Sequence, residues 1–291
     1  MTDCRWDTNS HASGTQEKGL DVQARGVPLA PTLADAVARG RKLLVTYVTG
    51  GVRPDWVDVL SAMVDAGADA VEIGLPFSDP VMDGPTIQEA SLAALKAKAT
   101  PASILDALRP VEIPVPLVAM TYYNLVLRMG HRRFASSLVQ AGVRGAIVPD
   151  VPLEESPDWE RAAHWAGVAP TLLAAPVTPD ERLAEICRRS AGFVYGVNVM
   201  GVTGERATVS GSAGALARRL KAVGDRHPAP GRSGRLPVVM GFGVAKPAQA
   251  AAIAAEADGV VVASALMRRV LDGATPAEVG KAVAELRAAL G

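Results

Sequence analysis

The chain has 291 residues, with 30 Lys and Arg balanced by 30 Asp and Glu, and this even charge argues against nucleic acid or an anionic membrane as partner. Apolar residues make up 49% and aromatic residues only 4%, so a core of this size must be built from aliphatic side chains. The two cysteines, Cys4 and Cys187, exclude a disulfide framework, lack metal-ligand spacing and suit a reducing compartment.

Residues 1–27 are polar and of mixed charge. They lack the apolar stretch of a signal peptide, and their acidic residues do not suit a transit peptide. A disordered tail is expected there, ahead of a single domain over 28–291. No apolar run is long enough to span a bilayer, which predicts a cytoplasmic protein.

From Pro31 onward one unit recurs: a short β-branched run, a loop rich in Gly and Pro, then an amphipathic helix. The runs are 43–49 (LLVTYVT), 69–74 (DAVEIG), 115–122 (VPLVAMTY) and 144–150 (RGAIVPD). They continue at 170–174 (PTLLA), 192–198 (GFVYGVN), 237–242 (PVVMGF) and 258–262 (DGVVV). Between the first two, 55–65 places Trp56, Val59, Leu60, Met63 and Val64 on one helical face. Similar helical patterns cover 133–140, 160–165, 180–189, 213–223 and 247–256. A weak formula precedes three of the strands: "AGADAVEI" at 66, "AGVRGAIV" at 141 and "AEADGVVV" at 255. In the first two, glycine stands where a helix C-terminus calls for a left-handed residue.

Strands alternating with helices imply parallel pairing and right-handed crossovers. Eight such units predict a (β/α)8 TIM barrel. A doubly wound sheet should carry G-x-G-x-x-G after its first strand, and "VTGGVRPDW" does not.

Barrel chemistry sits at the C-terminal ends of the strands, which selects a short list. It comprises Tyr47 and Thr49, Glu72, "TYYN" at 121–124, Asp150, Tyr195 and Asn198, "GFG" at 241–243, and Ala263 to Ala265. The last two loops shed side chains, and the second runs straight into a helix. That arrangement suits phosphate held by free N–H groups, although glycines that only turn the chain would look alike. With Val71 and Ile73 facing the helices, alternation turns Glu72 to the barrel mouth, where desolvation should raise its pKa. A structural ion pair is the competing reading, and no neighbouring strand end supplies a Lys or Arg. Asp83 lies on a loop long enough to fold over the mouth, or else caps the helix that begins near Thr86. "GVTGERATVSGS" (201–212) is a second loop whose glycines serve as hinges or as plain linker.

His11, His131, His164 and His227 end no strand and read as solvated surface. No lysine ends a strand, which argues against imine chemistry, and no Asp/His/Glu cluster has metal spacing.

"VEIGLPFSDPVMDGPTIQEA" (71–90) closely resembles the signature of the tryptophan synthase α subunit. "TYYNLV" (121–126), "VPDVPLEES" (148–156), "GVTG" (201–204) and "GFGV" (241–244) follow in the family's order. The resemblance implies a (β/α)8 barrel that cleaves indole-3-glycerol phosphate to indole and glyceraldehyde 3-phosphate. It implies an αββα complex, with pyridoxal phosphate only in the β subunit and no metal or cofactor here. Matched by position, Glu72 would protonate the indole ring carbon and help deprotonate the glycerol hydroxyl. Asp83 would hold the indole N–H. Tyr122 would flank the indole, Tyr195 would line the site, Thr203 would orient Asp83, and Gly204, Gly243 and Ser264 would bind phosphate beside Ala263.

The chain also departs from the family pattern. Val52 and Arg53 precede Pro54 where an acidic residue is usual, Asn198 replaces a frequent serine, and Ala263 a frequent glycine. The tail is longer than usual. Two alternatives therefore stand beside the α subunit: a stand-alone lyase releasing indole for specialised metabolism, and a weakly catalytic subunit that mainly activates a β subunit. Intact Glu72 and Asp83 count against the second.

Overall fold

A computed structural model describes residues 25–197, 208–227, 234–241 and 243–291. Of the expected tail, residues 1–24 lie outside this set. Helix α1 (Leu29–Ala38) leads into β1 (Leu43–Thr49), α2 (Trp56–Asp65), β2 (Ala70–Gly74), α3 (Pro85–Lys96), α4 (Pro101–Leu108) and β3 (Leu117–Met120). Then come α5 (Tyr123–Met129), α6 (His131–Gln140), β4 (Val143–Ile147), α7 (Pro157–Ala166), β5 (Ala169–Thr171), β6 (Leu173–Ala174) and α8 (Asp180–Arg189). The chain ends with β7 (Val194–Val197), α9 (Thr208–Arg226), β8 (Val238–Gly241), α10 (Pro247–Ala254), β9 (Gly259–Val262), α11 (Ser264–Leu271) and α12 (Pro276–Leu290).

All strand pairs are parallel, in the order β5-β4-β3-β2-β1-β9-β8-β7-β6. The two ends of that order are consecutive in the chain, so the sheet curls into a (β/α)8 barrel. Nine segments appear in place of eight because the run at 170–174 breaks at Leu172. Its N–H donates to Ser190 Oγ at 3.2 Å, while its carbonyl still accepts from Tyr195 N–H at 3.0 Å. A side chain thus takes one ladder bond, and the strand divides there.

The expected helical face of α2 is buried, residue for residue. Gly67 and Gly142, at the two helix ends read from the repeat, have φ of 102° and 80°. Two apolar layers result. One lies between barrel and helices, and the other fills the barrel with Leu43, Val45, Ala70, Val118, Val239 and Val261. Leu29 and Leu33 of α1 pack into this inner layer and close its floor. The fit is tight: a Cβ on Gly259 would stand 2.5 Å from Leu43.

The repeated formula also has a shared structural use. Asp69 and Asp258 stand at its fourth position, just before β2 and β9. Asp69 Oδ2 accepts from Leu44 N–H at 2.8 Å and from Arg287 at 2.9 Å, and its other oxygen meets Arg41 at 2.5 Å. Asp258 Oδ2 accepts from Val238 N–H at 2.9 Å, and the carboxylate is gripped by Arg235 at 2.6 and 2.8 Å with Lys221 at 3.2 Å. Each aspartate accepts from one N–H near the start of a neighbouring strand and gathers cations around it. In the third copy Arg144 takes that place and donates to the Gly167 carbonyl at 3.0 Å.

Burial alone would raise the Asp258 pKa, but the Arg235 and Val238 hydrogen bonds outweigh it and hold the value below 3.8. A depressed carboxyl pKa contributes stability above the unfolded value, and that contribution is lost as pH falls through the folded value. Asp258→Asn is therefore expected to lower the unfolding free energy by roughly 1–3 kcal/mol at pH 7, because Arg235 and the Val238 N–H lose a charged acceptor. In urea titrations the gap between variant and wild type should narrow below pH 4.

Candidate active site

Period-two alternation puts Ala70, Glu72 and Gly74 on the inner face of β2, while Val71 and Ile73 pack in the outer layer. The neighbours of Glu72 in register are Tyr47 on β1 and Val118 on β3. Glu72 is 1% exposed, and its Oε2 has no hydrogen-bond partner among the described residues. No cation pairs with it among those residues, so the ion-pair reading falls away. Burial first, and the Asp83 carboxylate second, push its pKa up to about 8. At neutral pH the group holds its proton.

The loop from Leu75 to Gly84 folds back over the mouth. Leu75 N–H bonds the Met120 carbonyl at 2.8 Å, and Phe77 stacks on Tyr122 with ring centroids 5.0 Å apart. Met82 N–H then donates to the Tyr122 hydroxyl at 3.0 Å, and Asp83 N–H closes a turn onto Pro80 at 3.1 Å. Gln88 of α3 donates to the Asp83 carbonyl at 2.9 Å. The Asp83 side chain is 8% exposed and hydrogen-bonds Tyr122. Burial lifts its pKa to about 6, with the Tyr122 bond opposing that rise. Helix α3 has Gly84 as its N-cap and no side-chain cap bond, so Asp83 is not spent on capping.

Tyr122 is buried at the entrance to α5, and Asp150 explains why it stays there. Asp150 Oδ1 accepts from Tyr123 N–H at 2.8 Å, fixing the first turn of α5 against the end of β4. Tyr195 reaches into the barrel from β7 across Gly241, where a Cβ would stand 2.5 Å from its ring. Burial and then the Glu72 carboxyl raise the Tyr195 pKa well above 10, so the phenol stays neutral. Tyr47 belongs to the same group, although strand-end position alone assigned it no role. Its sequence signal is the two-residue alternation that sets it beside Glu72.

The last two strand ends on the same barrel face are open. Gly243 has φ of +68° and free space where a Cβ would point. Ala263 is the N-cap of α11 with no side-chain cap bond, and Ser264 is its exposed first residue. The first N–H groups of this helix are not used within it and present the positive end of its dipole. Glu72, Asp83, Tyr122 and Tyr195 thus converge at the mouth, with Gly243, Ala263 and Ser264 at the ends of β8 and β9. Thr203, Gly204 and Asn198 lie outside the described residues.

Among the described residues no group of three His, Cys, Asp or Glu could hold a metal ion. His131 corrects the surface reading of the histidines. It is half-buried, stacks on Tyr123 at 5.7 Å and shares a 3.1 Å hydrogen bond with its hydroxyl, because α5 and α6 meet there. His11 lies outside the described residues. The unusual Arg53 donates to the Ala274 carbonyl at 2.7 Å and to Val270 at 3.4 Å, tying the loop after β1 to the C-terminal end of α11. Surface clefts of about 570 Å³ beside α11 and α12 and about 700 Å³ beside α7 and α8 contain no strand-end residue.

A family model, the tryptophan synthase alpha chain, matches residues 33–289. The tryptophan synthase alpha chain of Streptomyces avermitilis is 42% identical over 252 residues, 85% of this chain and 87% of that one. That of Geobacter sulfurreducens is 40% identical over 267 residues, covering 90% and 97%. Among solved structures, a chain of ligand-free Mycobacterium tuberculosis tryptophan synthase superposes with a TM-score of 0.78 at 37% identity, over 90% of this chain and 98% of that one. The tryptophan synthase alpha subunit of Legionella pneumophila gives 0.76 at 29%, over 89% and 97%.

A carboxyl whose pKa is raised on folding costs stability as pH climbs from its unfolded value to its folded one, since the unfolded chain releases the proton first. Between pH 4.5 and 8.5, wild type should therefore lose on the order of 3–5 kcal/mol that Glu72→Gln does not lose. Unfolding titrations of both proteins across that range measure the difference directly.

Proposed function

This chain belongs to the tryptophan synthase alpha chain family, and from that membership we propose that Glu72 and Asp83 are the pair that carries its reaction. The enzyme is a carbon–carbon lyase of tryptophan biosynthesis, cleaving indole-3-glycerol phosphate to indole and glyceraldehyde 3-phosphate. The α chain of this family has no cofactor, and pyridoxal phosphate belongs to the β subunit. The observation that carries the proposal is the split between two buried carboxyls, one titrating at about 8 and the other at about 6. Environments that push two such values apart supply an acid and an anion at one pH.

At neutral pH, Asp83 is ionised and accepts the indole N–H, stabilising positive charge on the ring. Glu72 gives its proton to the ring carbon that bears the side chain. Its conjugate base then takes the proton of the adjacent hydroxyl. The O–H electrons form the aldehyde, the carbon–carbon bond breaks, and its electrons return to the ring as neutral indole. Tyr122 flanks the ring, Tyr195 lines the site, and Thr203 orients Asp83. The N–H groups near Gly204, Gly243, Ala263 and Ser264 take the phosphate without a cation.

Family membership implies a β subunit as partner. We assign its docking face, in an αββα assembly, to the mouth loops. Val81 is 78% exposed and Met82 46%, and both stand on the loop that carries Asp83. Covering those apolar side chains would favour the closed position of Asp83 and couple partner binding to turnover. This exposed apolar pair weighs against a stand-alone lyase, and the buried carboxyl pair against a weakly catalytic subunit. Among the described residues no helix is long and apolar enough to cross a membrane, in keeping with a cytoplasmic location.

Glu72→Gln is expected to lower kcat for indole release by roughly 10²–10⁴-fold. In wild type, kcat/KM should rise with pH through about 6 as Asp83 ionises and fall through about 8 as Glu72 loses its proton. A rate that climbs steadily past pH 9 would contradict the acid role. A related β subunit should raise α turnover and co-elute with this chain in size-exclusion chromatography, while Val81→Asp with Met82→Asp should abolish both effects.

A further inference from the structure

The geometry points to Tyr47 as a further substrate-binding residue of this lyase, donating a hydrogen bond to the hydroxyl oxygen that becomes the aldehyde. The inference rests on the proposed role of Glu72 and extends it to a second group on the same substrate atom. Tyr47 and Glu72 are partners in register across β1 and β2, on the inner face of the barrel. The next inward residue of β2 is Gly74, and a Cβ there would lie 1.8 Å from the Tyr47 hydroxyl oxygen. The phenol therefore crosses the bare backbone of β2 just above Glu72, on the mouth side.

Its hydrogen bonding is half complete. Thr49 Oγ1 donates to the Tyr47 oxygen at 3.3 Å, which occupies that oxygen as an acceptor. No acceptor for the Tyr47 proton occurs among the described residues, although the side chain is 3% exposed. Glu72 Oε2, buried beside it, is likewise unpartnered. A donor and a carboxyl left open side by side are the complement of one alcohol group, which can accept from Tyr47 and give its proton to Glu72. Burial, and next the Asp83 and Glu72 carboxyls, hold the phenol pKa far above neutrality, so Tyr47 acts as a fixed donor and never as a base.

The chemistry gives the bond its value. When Glu72 removes the hydroxyl proton, the oxygen gains negative charge before the carbon–carbon bond has fully broken. A donor already in place then binds the transition state more tightly than the substrate, which raises kcat and leaves KM largely alone.

The test uses the full-length chain with indole-3-glycerol phosphate. Tyr47→Phe keeps the ring and removes only the hydroxyl. Its kcat should fall roughly 10- to 100-fold, the range for losing one hydrogen bond to a developing charge, with KM within about threefold. Its thermal midpoint should fall only modestly, because buried Thr49 Oγ1 loses its acceptor, and both limbs of the pH profile should stay in place. Wild-type kcat, a loss confined to KM, or a displaced upper limb would each overturn the inference. Glu72→Gln in the same assay separates the two claims. An inactive Glu72→Gln beside a fully active Tyr47→Phe rejects Tyr47 alone, whereas an active Glu72→Gln removes the catalytic reading and this inference with it.

Discussion

The Glu72 carboxyl lies inside the barrel with one oxygen unpartnered and no cation beside it among the described residues, and the organisation of the mouth follows from that placement. Ionising such a group far from water is costly, so it keeps its proton at neutral pH. Beneath it, the mostly aliphatic interior of the barrel and the leucines of α1 exclude solvent. Above it, the Asp83 loop shuts most of the remaining access. A lysine or arginine at any neighbouring strand end would pull the pKa down and remove the proton on which the proposed chemistry depends.

Space for that chemistry comes from pairing large rings with missing side chains. Tyr47 crosses Gly74, and Tyr195 crosses Gly241, so two phenols enter a barrel filled mostly by aliphatic residues. Tyr122 has a different task. Its ring receives Phe77, its hydroxyl accepts from Met82 N–H, and it bonds the Asp83 carboxyl. One side chain thus fixes both the path of the loop and the group the loop delivers. Asp150 holds Tyr122 in turn, through the first turn of α5.

The two faces of the barrel treat charge in opposite ways. On the N-terminal face, Asp69 and Asp258 are surrounded by arginines and strand N–H groups, so their charge is spent on joining strands. On the C-terminal face, Glu72 and Asp83 have no cation among the described residues, and the N-terminus of α11 lacks a side-chain cap. Stability is concentrated at one end, and the groups left unsatisfied at the other are free to meet a substrate. Arg53, on the loop after β1, is the exception on this face, since it pairs with Asp55 and satisfies carbonyls at the far end of α11.

The sequence by itself determined the alternation of strands and helices, the inward side of β2 and the list of strand ends, because side-chain periodicity is local and needs no partner. It also located the long turn-rich loop that carries Asp83. It left two readings each for Glu72 and Asp83, since an ion pair or a helix cap depends on what lies opposite in space. Tertiary structure removed both by showing no cation beside Glu72 among the described residues and Gly84 as the cap of α3. It alone revealed the break at Leu172, made by a serine from after α8, the half-buried place of His131, and the phenol of Tyr47 lying over Gly74. Burial and electric field are sums over elements far apart in the chain, so only the folded barrel could decide which carboxyl keeps its proton.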